Sequence, residues 1–271
     1  MLCTSMDVAT RLDGRYRLGE LLGRGGMADV YRAVDEVDGR PVAVKLVRSS
    51  DPLLAHRLAH EARAMGAVDH PGLVRMLNSG LSDNHAFLVL DLVEGETLAD
   101  SVGRGPLPPA TVAAVGSAVA GALACVHSHG IVHRDVKPGN VLLGADGRPR
   151  LADFGVARLA DSSSTLTVAG TTLGTAAYMA PEQLEDHDVG PAADVWALGM
   201  VLLECLLGRR IYEGTATEVV SRRLAGPVPM PGDLPAAWRH LLGTMLHDQP
   251  SRRPPAAVVA AMLAAPSFST P

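Results

Sequence analysis

The run His133-Arg134-Asp135-Val136-Lys137-Pro138-Gly139-Asn140, followed by Asp153-Phe154-Gly155, gathers two carboxylates, an amide and a lysine into two short turns, each behind an apolar stretch. Phosphoryl transfer needs a group to orient the attacking hydroxyl, a cation beside the moving phosphoryl and oxygen ligands for magnesium. Asp135 suits the first role, Lys137 the second, and Asn140 with Asp153 the third, because Mg²⁺ is held by a few protein oxygens together with phosphate. Taken in isolation, an Asp and an Asn in one loop are equally at home as turn formers.

The pattern H-R-D-x-x-x-x-N and then D-F-G resembles the catalytic and metal-binding loops of the protein kinase family. Gly174-Thr175-Ala176-Ala177-Tyr178-Met179-Ala180-Pro181-Glu182-Gln183 is similar to the substrate-docking turn of its Ser/Thr members, and with Gly25-Gly26-Met27-Ala28-Asp29-Val30 it resembles bacterial eukaryotic-like (Hanks-type) Ser/Thr protein kinases of the PknB-like group. The resemblance implies an α+β, bilobal protein kinase fold around one cleft. Residues 16–94 would form an N-lobe of five antiparallel strands plus one helix, and residues 95–265 a mostly helical C-lobe. An N-terminal extension, 1–15, and a tail, 266–271, would flank them. It further implies ATP with Mg²⁺ or Mn²⁺, transfer to Ser and Thr of proteins, and an N-lobe homodimer for trans-autophosphorylation. A pseudokinase scaffold is disfavoured because Lys45, Asp135 and Asp153 are all present; a small-molecule phosphotransferase is disfavoured by Ala180-Pro181-Glu182.

The elements that must position these residues are legible as changes of period. From Tyr16 to Val47 apolar residues alternate with short turns, which predicts three antiparallel strands. The first turn is Leu22-Gly23-Arg24-Gly25-Gly26-Met27-Ala28-Asp29-Val30, where glycines let backbone N–H groups approach phosphate oxygens. Ala28 stands where the family has its third glycine. Lys45, ending Val42-Ala43-Val44-Lys45, matches the strand lysine that holds the α- and β-phosphates. Between Leu53 and Val68 the spacing is helical and places Glu61 within an apolar stripe, where a carboxylate needs a fixed cation; the resemblance pairs it with Lys45. Leu73 to Leu77 and His85 to Val93 then read as two more strands.

Phe87 to Gly95 resembles the kinase hinge, which implies that Leu90 would be the gatekeeper and that Asp91 and Val93 would offer backbone groups to adenine; by the same resemblance Leu142 would lie beneath the base, with Val30 and Ala43 above. After Gly95 the period becomes helical, and Val112 to Val126 predicts a buried helix stopping at Gly130. Ile131-Val132 and Val141 to Leu143 read as short strands that flank the loop, while Leu151-Ala152 leads into Asp153. Asp194 is placed to cap the buried helix that runs to Leu207. In the family this residue also holds the catalytic-loop backbone.

Thr165, Thr167, Thr171 and Thr172 lie in a run of small polar residues that reads as a mobile loop. The family resemblance makes it an activation segment, autophosphorylated within residues 162–175 and received by Arg134, Arg158 and Arg57. It also implies that Thr175 bonds Asp135 and Lys137, and that Glu182 pairs with Arg253.

A net charge of −5 over 271 residues, with pI near 6.0, argues against general binding to nucleic acid or anionic membranes. Three widely spaced cysteines, Cys3, Cys125 and Cys205, fit a reducing cytoplasm. The apolar segments Val112 to Val126 and Val195 to Leu207 are shorter than the roughly 20 residues that span a bilayer. The start Met1-Leu2-Cys3-Thr4 shows no secretory pattern, so no membrane segment is expected within this chain.

Overall fold

The structure is a computed structural model that describes residues 11–25, 28–48, 66, 68–82, 85–153, 173–184 and 189–268. The chain divides into two compact units. The first comprises residues 1–69 and 74–93; the second comprises 70–73 and 94–271.

In the first unit, strands β1 (Arg11–Leu12), β2 (Tyr16–Arg24), β3 (Ala28–Asp35), β4 (Pro41–Val47), β5 (Met76–Ser82) and β6 (His85–Asp91) form one antiparallel sheet in the order β1-β2-β3-β4-β6-β5. Alternate residues Ala33, Val42, Val44, Phe87 and Val89 turn to one face and are buried there with Leu12 and Tyr16. The Tyr16 and Phe87 rings meet edge to face at 6.0 Å, and Asn78 donates to the Tyr16 hydroxyl at 2.8 Å. Among the described residues the sheet therefore has six strands where five were expected. Leu12 is buried, so the supposed extension supplies both an edge strand and a core residue. At the sheet edge Arg15 donates to both oxygens of buried Asp35, at 2.8 and 2.7 Å, and holds its carboxyl below the usual range. The expected helix Leu53 to Val68, with Glu61 and Arg57, lies outside the described residues apart from 66 and Val68.

The second unit begins with β7 (Gly95–Thr97), α1 (Leu98–Val102) and α2 (Pro109–Ser128). A short 3-10 turn, Pro138–Asn140, leads into β8 (Val141–Gly144) and β9 (Pro149–Leu151), which complete a small sheet β7-β8-β9. There follow α3 (Leu173–Ala176), α4 (Pro181–Leu184), α5 (Pro191–Leu207), α6 (Ala216–Leu224), α7 (Ala236–Met245) and α8 (Ala256–Leu263). Helices α2, α5 and α8 meet at Gly116, where an added Cβ would lie 2.7 Å from Leu263 and 2.8 Å from Leu202. Close approach explains this glycine in an otherwise apolar helix.

Several sequence expectations change. Leu73 joins no strand of the first sheet; it makes an isolated parallel bridge to Leu151, and Leu151 donates its N–H to Gly72. Gly72 is drawn to α2, where a Cβ would stand 2.9 Å from the Ala118 carbonyl. Ile131 and Val132 are not a strand, since the Ile131 N–H returns to Val126 of the preceding helix. Helix α2 has 20 residues, longer than expected, and is long and apolar enough by length and composition to cross a membrane. Nine of its residues are buried within the unit, among them Val112, Val119, Leu123 and Val126, as in a core helix. The tail is also partly core, because Phe268 packs edge to face on Trp238 at 5.0 Å.

Candidate active site

The catalytic loop is fixed by its backbone before any of its side chains act. Asp194, 1 % exposed, accepts the N–H of His133 at 2.8 Å on Oδ2 and that of Arg134 at 2.7 Å on Oδ1. His127, near the end of α2, places Nε2 2.8 Å from the same carboxylate. Asp194 is not the helix cap that the sequence suggested: α5 starts at Pro191 behind Gly190, and Asp194 sits inside its first turn. There the excess positive end of the helix favours a carboxylate. Its anchoring of the loop holds Arg134 at φ 68°, a conformation uncommon for a residue with a side chain.

His133 is fully buried and ties the loop to the segment between β9 and Asp153. Its Nε2 is 3.0 Å from the Ala152 carbonyl, which can only accept, so Nε2 carries the proton. Its Nδ1 then accepts the Asp135 N–H at 3.3 Å. Asn140 makes the parallel link, since its carbonyl accepts the Ala152 N–H at 2.8 Å. These two bonds bring the backbone before Asp153, itself at φ 65°, alongside the loop.

Asp135 is thereby left with two unlike oxygens. Oδ2 accepts Lys137 Nζ at 2.8 Å and Asn140 Nδ2 at 3.0 Å. Oδ1 is buried and has no partner among the described residues. Such an atom is costly unless something completes it. Asn140 Nδ2 also donates to the Asp135 carbonyl at 2.7 Å, so the amide is oriented with its oxygen turned away from these acceptors. An amide oxygen and a carboxylate are the donor chemistry that a hard divalent cation takes, and the Ala152–Asn140 backbone bond brings the segments carrying Asn140 and Asp153 side by side.

Lys137 also donates to Thr175 Oγ1 at 3.2 Å, which brings the docking turn to the loop. That turn has its own supports. Tyr178 donates its hydroxyl to Glu204 at 2.6 Å, both residues being buried. Burial pushes the Glu204 carboxyl up, while the Tyr178 bond opposes it. Gln183 accepts the Ala180 N–H at 2.9 Å and donates to the Arg134 carbonyl at 3.4 Å. Arg223 of α6, pushed down to about 10 by burial, donates to the Ala177 carbonyl at 3.2 Å and stacks on Trp196 at 4.9 Å and Tyr212 at 5.6 Å. Arg253 meets Glu182 with two bonds, 2.6 and 2.9 Å, and its other N–H groups reach the carbonyls of His247, Ala192 and Asp248. All of its donor capacity is met, as a buried guanidinium requires.

In the first unit, Leu22, Gly23 and Arg24 end β2 and are exposed, while Ala28, Asp29 and Val30 open β3. The Gly25 N–H donates to Ala28 at 2.8 Å and closes the turn, whose Gly26 and Met27 lie outside the described residues. Lys45 is half-buried on β4, opposite Val30 and Leu88; its proposed partner Glu61 is outside the described residues. Ala43 is buried and faces Leu90 across the ladder. The Asp91 N–H is already bound to Arg75 at 2.9 Å, so only its carbonyl is left to offer, and Val93 follows β6. Leu142, in the second unit, is half-buried on β8. Arg158, Thr165, Thr167, Thr171 and Thr172 lie outside the described residues.

Sequence reasoning missed His127, Glu204, Gln183 and Arg223. Glu204 carried a usable signal, because it interrupts an apolar helix and a carboxylate there must find a donor. His127 and Arg223 had none, since their partners are remote in sequence, and the short-range bond of Gln183 to Ala180 does not reveal its second partner, Arg134.

The protein kinase domain model matches residues 16–263. The chain is 39 % identical over 260 residues to serine/threonine-protein kinase PknA of Mycobacterium tuberculosis (strain ATCC 25618 / H37Rv), covering 92 % of this chain and 60 % of that protein. It is 41 % identical over 223 residues to serine/threonine-protein kinase PknL of the same strain, covering 80 % and 56 %. It is 39 % identical over 267 residues to serine/threonine-protein kinase PknH of Mycobacterium bovis (strain ATCC BAA-935 / AF2122/97), covering 95 % and 45 %. The chain thus spans about half of the length of the curated relatives it matches. With nearly its whole length matched by the family model and by these relatives, the chain belongs to the protein kinase domain family, among its bacterial Hanks-type serine/threonine members.

Proposed function

We propose that this domain transfers the γ-phosphoryl of ATP to Ser and Thr hydroxyls of proteins. The observation that carries the reading is the asymmetry of Asp135: Oδ2 is held by Lys137 and Asn140, and Oδ1 is buried with no partner among the described residues. An acceptor hydroxyl donating to Oδ1 completes that oxygen and turns its own oxygen toward the phosphoryl group. Lys137 offsets charge on the transferred group, and its bond to Thr175 couples that cation to the turn that docks the acceptor. Asn140 and Asp153 would hold Mg²⁺ or Mn²⁺, which supplies charge neutralisation at the phosphates. Lys45, with residues 22–30, is assigned to the phosphates; Ala43, Leu90, Asp91, Val93 and Leu142 are assigned to adenine.

For regulation, a phosphate on Thr165, Thr167, Thr171 or Thr172 would pair with Arg134, whose Nε is buried without a partner among the described residues. Arg158 and a homodimer through the first unit belong to the same reading, as does a cytoplasmic site of action.

Labelled ATP with Mg²⁺ and a Ser/Thr-containing protein tests the reading in wild type, Asp135→Asn and Lys45→Met. We expect phosphoprotein from wild type and a loss of at least about a hundredfold in either variant, the scale set by removing a positioned catalytic group. Equal labelling by all three would sink it.

A further inference from the structure

A cavity of about 460 Å³ opens in the second unit beside the catalytic loop, and both Lys137 and Thr175 line it. It therefore adjoins the carboxylate assigned to the acceptor hydroxyl, which gives the neighbouring residues of an acceptor protein a place to lie. Among the described residues its charged lining is Lys137, Glu204, Arg209 and Arg210.

These four groups are not equivalent. Lys137 is engaged by Asp135 and Thr175. Glu204 is 7 % exposed and accepts the Tyr178 hydroxyl, so its charge is directed into the protein. Arg210 lies close enough for its field to favour the ionised Glu204, which leaves this carboxylate balanced from within the wall. Arg209 and Arg210 are both exposed, just past the glycine that ends α5, and neither forms an ion pair among the described residues. The accessible charge of the cavity is cationic. Exposed guanidinium groups beside a low-dielectric wall attract carboxylates, with which they form paired hydrogen bonds, and repel ammonium groups.

We propose that this cavity receives the stretch of acceptor protein adjoining the Ser or Thr and selects Asp and Glu side chains there, with Arg209 and Arg210 as the specificity-determining residues. The proposal rests on the phosphotransfer reading for its location, but selection by charge is a property of binding. It can be measured without turnover.

The test uses fluorescent peptides built around one Thr in an Ala background, flanked by Asp or by Lys. Their affinity for the full chain is read by anisotropy, and their phosphorylation rates are measured separately. Wild type is expected to bind the Asp-flanked peptide at least about tenfold more tightly than the Lys-flanked one, a difference of about 1.4 kcal/mol. The gap should shrink at high salt. In Arg209→Glu/Arg210→Glu the order should reverse; should that variant fail to fold, Arg209→Ala and Arg210→Ala should each reduce the gap. Equal affinities in wild type, or an order unchanged by these substitutions, overturns the proposal. Acid-selective binding with no phosphorylated product counts against the phosphotransfer reading alone.

Discussion

The catalytic loop and the docking turn both lean on helix α5, yet they are held by different means. The loop is held by its main chain, because Asp194 takes the N–H groups of His133 and Arg134. The turn is held largely through side chains: Tyr178 bonds Glu204, and Glu182 bonds Arg253. Gln183 joins the two by accepting from Ala180 and donating to the Arg134 carbonyl. A carboxylate that grips backbone fixes a conformation, including the left-handed Arg134, whatever the loop's side chains do. Side-chain contacts fix a turn in a way that substitution can retune. The loop should therefore fail abruptly when its anchor is lost, and the turn gradually.

The largest effect should come from Asp194→Ala, which strands two buried N–H groups and removes the partner of His127. We expect a loss of about 4 kcal/mol in unfolding free energy and a fall of at least about a hundredfold in phosphotransfer, read by denaturant titration and steady-state rates. A rate within a few-fold of wild type would erase the contrast between loop and turn. Next is Arg253→Met, which leaves Glu182 buried without its cation; a loss of about 3 kcal/mol is expected from the same titration.

Tyr178→Phe is smaller, at about 1–2 kcal/mol, because one donor is lost and Glu204 remains. It also has a pH signature. Burial raises the Glu204 carboxyl, so the contribution of this group is greatest at low pH and is lost as pH rises through its folded value. The tyrosine bond favours the ionised form, and removing it raises the carboxyl further. The deficit of Tyr178→Phe should therefore grow between pH 5 and pH 8; a deficit that shrinks over that interval would show that the bond does not serve the carboxylate.

Arg223→Met should change stability by no more than about 1 kcal/mol, since the lost bond to Ala177 is offset by relief of a buried charge. Its effect should appear in KM for peptide rather than in kcat. The smallest response concerns the cysteines. The Cys205 thiol is buried and pushed up to about 12, so iodoacetamide at pH 8 should spare it in the folded protein and modify it only after denaturation.

The readable parts of the site are local. Asp135, Lys137 and Asn140 share one loop, and their match to a family pattern, rather than their spacing alone, suggested that they act together; in the structure the lysine and the amide bond the one carboxylate. The strands of the first unit were readable because alternation reports which face is buried. Reading failed where a segment answers to a distant neighbour. Leu73 looks like a strand residue, but Gly72 is drawn against α2 and carries it to Leu151. Arg11–Leu12 was too short to show a period, and it is a strand because Tyr16 and Arg17 stand opposite.

Sequence alone determined that Asp135, Lys137 and Asn140 share one loop, in that order and at that spacing, because neighbours along the chain cannot be far apart in space. It also determined the alternation that buries one face of a sheet, which follows from local geometry. Tertiary structure alone decided that Asp194 grips a backbone rather than capping a helix, that Glu204 answers Tyr178, and that one oxygen of Asp135 is left without a partner among the described residues. Each of these depends on satisfying a buried polar group with an atom from elsewhere in the chain, and no local pattern specifies which atom arrives.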